Sequence, residues 1–408
     1  MADINEYFVE KYEENKSAQP EKESLESKKI EFEKKLRRHK ITNLYRIGII
    51  VLIVLILLIS AYYNYQRQVY TDYDVNKKIT YSEAQSARYL EFNGNILRYS
   101  QDGASAFNIN NDMIWNETFE MQNPVADSCG DYAALGDYMG TTIYIFNSEG
   151  LKGTIDTSTP LRNFSVAGNG NVAAVMEEED VTWIKLFDVN GVNIASDKTT
   201  MARSGYPVRI DLSDDGILLS VSHLFVDSGV LSSSVAYYNF GAVGQNEIDN
   251  LVSGYTYTNT IISHVKFMNS DTAFAIGDDR FVIYKGAQKP ESTYEKLISE
   301  EILSVFNNNQ YVGLVFDDSS TENRFRIEVY NDEGTLVCNQ GFDIDYSNIA
   351  FYKDLIVIYS AEECEIYNMS GLKKYSGAFE QSATIMIPES KSKYLIVSGD
   401  CMEEIKLK

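Results

Sequence analysis

The stretch PVRIDLSDDGILLSVS, residues 207–222, decides the fold. Two short apolar runs flank Ser213-Asp214-Asp215-Gly216, and Asp and Gly are the residues that a tight reversal between strands favours. The stretch therefore reads as a β-hairpin. It recurs as ARYLEFNGNILRYS (87–100), PVADSCGDYAALG (124–136), LRNFSVAGNGNVAAVM (161–176) and ISHVKFMNSDTAFAIG (262–277). It continues as ILSVFNNNQYVGLVF (302–316), SNIAFYKDLIVIYS (347–360) and ATIMIPESKSKYLIVSG (383–399), which makes eight copies.

A third strand follows each copy, as in TIYIFN (142–147), VTWIKLFD (181–188) and RFRIEVYN (324–331), and a fourth follows as in MIWNETFEM (113–121) and LKGTIDT (151–157). Four antiparallel strands at a period near 40 residues spell a propeller blade. The fold class is all-β, an eight-bladed β-propeller over residues 77–408, with seven blades as the alternative. The eighth copy reaches Lys408 after its third strand, while KKITYSEA (77–84) stands before the first. That strand is expected to become the outermost member of blade eight, which leaves no open edge.

The hairpin at 207–222 resembles the inner hairpin of WD40 and quinoprotein-like propellers, which share its Ser-x-Asp-Gly-type turn. The Trp-Asp and Gly-His pairs of WD40 repeats and the tryptophan docking motifs of quinoproteins are missing; Trp115 and Trp183 stand in different strands. Taken whole, the chain looks like a family of membrane-anchored propeller proteins of unknown function from Gram-positive anaerobic bacteria. That resemblance rests on architecture and implies no activity.

Ahead of the repeats lies LYRIGIIVLIVLILLISAYY (44–63), with no charge or proline from Ile47 to Ala61. Twenty helical residues rise about 30 Å, the thickness of a bilayer core. Residues 44–65 are expected to form a transmembrane signal-anchor helix, flanked by Arg46 and by Tyr62, Tyr63 and Tyr65. Lys34, Lys35, Arg37, Arg38 and Lys40 precede it, against Arg67, Lys77 and Lys78 after it. The positive-inside rule places residues 1–43 in the cytoplasm and the propeller outside the cell membrane, with 66–76 as linker. Residues 20–40 are helical in pattern and 1–16 are expected to be disordered when free. A homodimer through the tail and the membrane helix is a further expectation.

The chain has 408 residues and a net charge of −23. Residues 1–45 are neutral, so 68–408, with 24 basic and 49 acidic residues, carry the excess. Such a domain repels phosphate backbones, which excludes nucleic acid as a partner and favours a basic one. Cys129, Cys338, Cys364 and Cys401 fit no zinc pattern. They read as buried free thiols, with a Cys364–Cys401 bridge as the alternative.

Catalytic signals are thin. His39, His223 and His264 are the only histidines, and no H-E-x-x-H, G-x-S-x-G, C-x-x-C or Walker A pattern occurs. No catalytic residue, metal or cofactor is assigned. Asp188-x-Asn190-Gly191 and Asp211-x-x-Asp214-Asp215-Gly216 resemble calcium loops but lack a closing Glu.

One constellation invites a binding role. The turn between the second and third strands of each blade shares an end of the ring with the links between blades. Every such turn carries acid: Asp102, Asp137, Glu177, Glu178, Glu179 and Asp180, Asp227, Asp278 and Asp279, Asp317 and Asp318, Glu362 and Glu363, and Asp400. Tyr138, Tyr255 and Tyr257 are expected on the same end, and blade four is expected to have the longest loop, Leu224 to Ser233. The residue-by-residue alternative is that Asp and Asn are simply turn formers. The leading function is a membrane-anchored binding or scaffolding module at the cell envelope, with a protein or cationic envelope component as partner. The alternatives are a transmembrane sensor acting through the tail, and a propeller hydrolase or lyase acting on cell-wall material.

Overall fold

A computed structural model describes residues 3–81, 87–179, 181–200, 204–319 and 322–408. The chain divides into two compact units, Met1–Gln68 and Val69–Lys408.

The first unit is one α-helix, Asp3–Arg67. It includes residues 3–16, within the segment where disorder was the expectation. Four Glu and two Lys stand there and no glycine interrupts the run before Gly48, so intrinsic preference favours the helix. Within Lys29–Ser60 an 18-residue stretch has a mean hydropathy of 2.4, and the helix there is long and apolar enough to cross a membrane. The apolar side chains from Ile47 to Ile59 have no partner within the unit and are about half exposed or more.

The second unit is a β-propeller of eight four-stranded sheets. The first strands of the blades are Arg88–Phe92, Pro124–Cys129, Leu161–Val166, Tyr206–Leu212, Ile262–Phe267, Ile302–Asn307, Asn348–Tyr352 and Ile385–Pro388. The first strands of blades 1 to 5 pack each on the next, as do those of blades 6 and 7 and of blades 8 and 1, so they surround the axis. Second strands are sandwiched between adjacent blades and therefore read as unbroken apolar runs. All residues of Thr272–Gly277 and of Leu355–Tyr359 are buried. Fourth strands lie at the rim and alternate, as Glu291–Leu297 does.

Blade 8 is completed by Tyr73–Thr80, antiparallel to Cys401–Leu407, with Tyr73 opposite Leu407 and Thr80 opposite Cys401. This strand starts four residues before the 77–84 expected from sequence. A bulge between Val75 and Lys77 breaks the alternation that sequence reading relies on. The helix runs to Arg67, so the connection is shorter than the 66–76 expected. It is also pinned: the Tyr70 amide donates to Lys374 O at 2.7 Å and the Thr71 amide to Lys408 O at 3.0 Å. The Lys408 ammonium bridges Asp72 and Asp74.

Strand direction defines two ends of the ring. The chain enters at the end carrying the first-to-second and third-to-fourth turns. The opposite end, here the linker end, carries the second-to-third turns and the links between blades.

Close approach of blades demands small residues. A Cβ on Gly136, in the second strand of blade 2, would lie 2.6 Å from the Phe164 ring and 2.7 Å from Leu161 of blade 3. Gly313 has the same place in blade 6, 2.7 Å from the Phe351 ring of blade 7.

Candidate functional site

The acids singled out in the sequence stand at the linker end, at the second-to-third turns, but their surroundings separate them into two kinds. Some hold the backbone. Asp137 Oδ1 accepts the amides of Gln122 and Asn123 at 3.1 and 2.7 Å, fastening the link into blade 2. Asp278 Oδ1 does the same for Ile261 at 3.0 Å, on the link into blade 5. Asp317 accepts the Ser319 amide at 2.8 Å, and hydrogen bonding from Ser319 holds its carboxyl below the usual range. Asp279 is gripped by Arg280 at 2.7 and 2.9 Å, which lowers its pKa. Asp318 lies 3.8 Å from Arg326, and Glu177 pairs with Arg162 at 2.6 Å.

The rest face solvent. Asp102, Glu178, Glu179, Asp227, Glu362 and Asp400 are exposed, with Glu363 half-buried. Asp180 lies outside the described residues. These side chains are distributed around the ring and form no compact cluster. Among the described residues no group of three or more His, Cys, Asp or Glu could hold a metal ion.

Blade 4 differs from the expectation of a long loop. Its strands Leu218–Asp227 and Val230–Asn239 continue outward and close through Ser228-Gly229, both at positive φ (51° and 83°). That is the two-residue turn that matches strand twist. The tip exposes Val226 and Leu231 beside Asp227.

Tyr138 lies at the linker end, exposed by 43 %. Tyr255 and Tyr257, on the fourth strand of blade 4, are turned inward instead of being displayed there, which differs from the sequence expectation. Alternation along Leu251–Thr258 turns both into the seam between blades 4 and 5, where they join the buried cluster of Val235, Tyr237 and Tyr284. The Tyr257 and Tyr284 hydroxyls are 2.5 Å apart, with the Arg280 guanidinium 5.0 Å over the Tyr257 ring. The Tyr255 hydroxyl donates to Pro290 O at 3.0 Å. Both rings are committed to packing.

Near the axis, the first strands of blades 2 to 4 carry polar residues, of which sequence reading named only Asp211, and that as part of a turn. Each reaches the next blade's backbone. Asp127 Oδ2 accepts the Val166 amide at 2.8 Å, Ser165 Oγ accepts that of Leu212 at 3.2 Å, and Asp211 Oδ2 accepts that of Phe267 at 2.6 Å. Asp211 is buried and also meets the Lys266 ammonium at 3.2 Å, which pushes Lys266 up to about 12. His264 is driven down to about 4 by burial, with Arg209 and Lys266 adding to the effect, so it is neutral.

Beside this belt lies a cavity of about 180 Å³ lined by Val125, Ala126, Asp127, Tyr138, Leu161, Arg162, Asn163, Phe164, Arg209, Ile210 and Asp211. The first strands of blades 3 and 4 are bulged at Arg162 and Val208, and such bulges re-aim side chains. Of the residues named from sequence, Tyr138 and Asp211 line this cavity, with Glu177 held behind it through Arg162. The available signal was a charge inside an otherwise apolar first strand, as at Asp127, Arg209 and Asp211.

Two other sequence signals resolve into local structure. Asp188 Oδ1 accepts the amides of Asn190 and Val192 at 2.9 and 2.8 Å, and Asp215 accepts the Ser213 hydroxyl at 2.7 Å. Both loops are hydrogen-bonded turns. The four cysteines are free thiols, with Cys338, Cys364 and Cys401 buried.

Eight blades around an axis place the chain among β-propeller proteins. It belongs to a family of unknown function (DUF5711), whose model matches residues 66–407. No curated protein matches the sequence. Among solved structures, the chain is similar to Sqt1 of Chaetomium thermophilum, with TM-score 0.53 and 12 % identity over 82 % of this chain and 98 % of that one. Similarity to BamB of Moraxella catarrhalis has TM-score 0.46 and 11 % identity over 82 % and 100 % of the two chains. For Hsv2p of Kluyveromyces lactis the values are 0.46, 12 %, 72 % and 98 %. At these identities the likeness is one of fold alone.

Proposed function

We propose that this protein is a membrane-anchored binding or scaffolding module of the cell envelope, and that the linker end of its propeller docks a basic partner. The observation that carries the reading is the set of exposed acids at the linker end, Asp102, Glu178, Glu179, Asp227, Glu362 and Asp400, repeated around a rigid ring. Charge of one sign on a broad surface steers an oppositely charged partner and raises its association rate. The Val226 and Leu231 tip offers apolar contact on the same end. Flanking charge supports a cytoplasmic N-terminus and a ring outside.

The test is capture from crosslinked envelopes with the full chain, against a variant with Glu178, Glu179, Asp227 and Glu362 changed to Ser. Among the described residues these four hold no backbone amide of a neighbouring link, so the ring is expected to stay folded. A partner captured by the native chain and lost by the variant supports docking; identical captures contradict it.

The unbroken helix Asp3–Arg67 favours a second reading, a sensor. One helix running from tail to span would transmit a change in its own association. Disulfide crosslinking through a cysteine introduced at Leu36 should then respond to partner binding. A crosslinking yield indifferent to the partner sinks that reading.

A further inference from the structure

We propose that the end of the ring at which the chain enters rests on the lipid surface, with Ile248 as its deepest apolar contact. The inference rests on the membrane-anchor reading and goes beyond it, since an anchor alone leaves a domain free to stand off in solvent. Its starting point is the shortness of the connection. The helix Asp3–Arg67 ends three residues before Tyr70, whose amide donates to Lys374 O of blade 7 at 2.7 Å. Asp72 O then accepts the Lys408 amide at 2.9 Å, so the chain is fastened to blades 7 and 8 as soon as it arrives. From Tyr63, at the end of the apolar run, four helical residues rise about 6 Å and three extended ones reach at most about 11 Å. The rim at blades 7 and 8 is therefore held within about 17 Å of the hydrocarbon boundary, and the headgroup layer itself occupies about 5–8 Å of that distance.

Blade 4 stands directly across the ring from blade 8, and it carries a foothold on the same end. Its third-to-fourth connection runs from residue 240 to 250, eleven residues, where blades 1 to 3 and 5 to 7 use two to five. The loop is folded on itself. The Glu247 amide donates to Gly244 O at 2.9 Å, the Asn246 side-chain amide donates to Ala242 O at 2.9 Å, and a Cβ on Gly244 would meet Asn239 O at 1.6 Å. It presents Ile248, 85 % exposed, the most exposed large apolar side chain among the described residues. Both arcs between tether and foothold repeat the device. In blades 2, 3 and 6, Oδ1 of Asn147, Asp188 and Asn331 accepts the amide of Glu149, Val192 and Thr335 at 2.8 Å, closing each third-to-fourth turn. Those turns deliver the exposed aliphatic residues Leu151, Val192 and Leu336. Side chains spread around a rim suit a planar fluid surface, whereas a protein partner asks for one gathered patch. Glu247 and Asp249 flank Ile248, so the lipid is met through its hydrocarbon and not through attraction to anionic headgroups.

The test uses the full chain reconstituted in vesicles of phosphatidylcholine brominated on its acyl chains. Ile248→Trp and Val192→Trp report on the entry end and Leu231→Trp on the linker end, all at exposed positions. The native chain gives the background from Trp115 and Trp183, and flotation with the vesicles reports the anchor separately. Relative to unbrominated vesicles, the added emission of Ile248→Trp and Val192→Trp should fall by about half or more, as for side chains buried about 5–10 Å into the headgroup boundary. The added emission of Leu231→Trp should not change. A chain that does not float removes the anchor and this inference with it. A chain that floats with either entry-end variant unquenched, or with Leu231→Trp quenched as strongly, overturns the inference and leaves the anchor standing.

Discussion

Asp278 and Glu362 are both exposed acids at second-to-third turns, yet they do different work. Asp278 holds the Ile261 amide, whereas no hydrogen bond to the Glu362 carboxylate is present among the described residues. Replacing Asp278 by Ala should cost about 1 kcal/mol, the scale of one lost cap. Glu362→Ala should stay within about 0.5 kcal/mol of the native chain; urea unfolding of both variants checks the contrast. His223 offers a second test. It is 2 % exposed, and burial lowers its pKa to about 4 from an ordinary 6.5. Its folded form therefore binds a proton more weakly than the unfolded chain does. Stability from this residue is full above about pH 6.5 and is lost as pH falls toward 4, by up to about 3 kcal/mol. Asp279 and Asp317, with lowered pKa, lose stability in the same direction. The slope belonging to His223 is thus the part that His223→Gln removes from a thermal-unfolding series over pH 4 to 7. A variant with an unchanged slope would show that His223 is not the group involved. At this scale the sequence marked which turns are acidic, because Asp is a turn former. It could not show which carboxylates meet an amide, since that depends on a link many residues away.

Strands were the most legible elements. Each blade repeats a hairpin whose turn residues and apolar runs are local signals, so eight copies could be counted without any knowledge of contacts. The seams were not legible. Tyr255 and Tyr257 follow the alternation of their strand, but which side faces blade 5 is a matter of packing. The bulge between Val75 and Lys77 likewise hid the true start of the closing strand. Two predictions belong here. Gly136→Ala should destabilise the ring by about 1–3 kcal/mol through overpacking against Phe164 and Leu161. Gly254→Ala, where an added Cβ meets nothing within 4 Å, should not, and thermal melts of the pair check this. Truncation before Cys401 would strip Tyr73–Thr80 and Lys393–Val397 of their shared neighbour. The truncated ring should lose closure and become sensitive to limited proteolysis in blade 8; resistance equal to that of the full chain would contradict closure by this strand pair.

On the scale of the molecule, charge and architecture meet. The excess of acid over base in residues 68–408 is displayed on a scaffold whose blades bury their second strands on both faces. Rigidity of this kind lets loops at one end carry recognition while the core is left unchanged. The central claim is that recognition belongs to the linker end. It is tested most directly by placing a photo-crosslinking amino acid at Glu178, Asp227 or Glu362, and in parallel at Asp131, Asn169 or Lys353 on the opposite end, in the full chain within native envelopes. The account predicts one shared partner adduct from the first three positions and none from the second three. Adducts from Asp131, Asn169 and Lys353 instead, or from neither end, would contradict it.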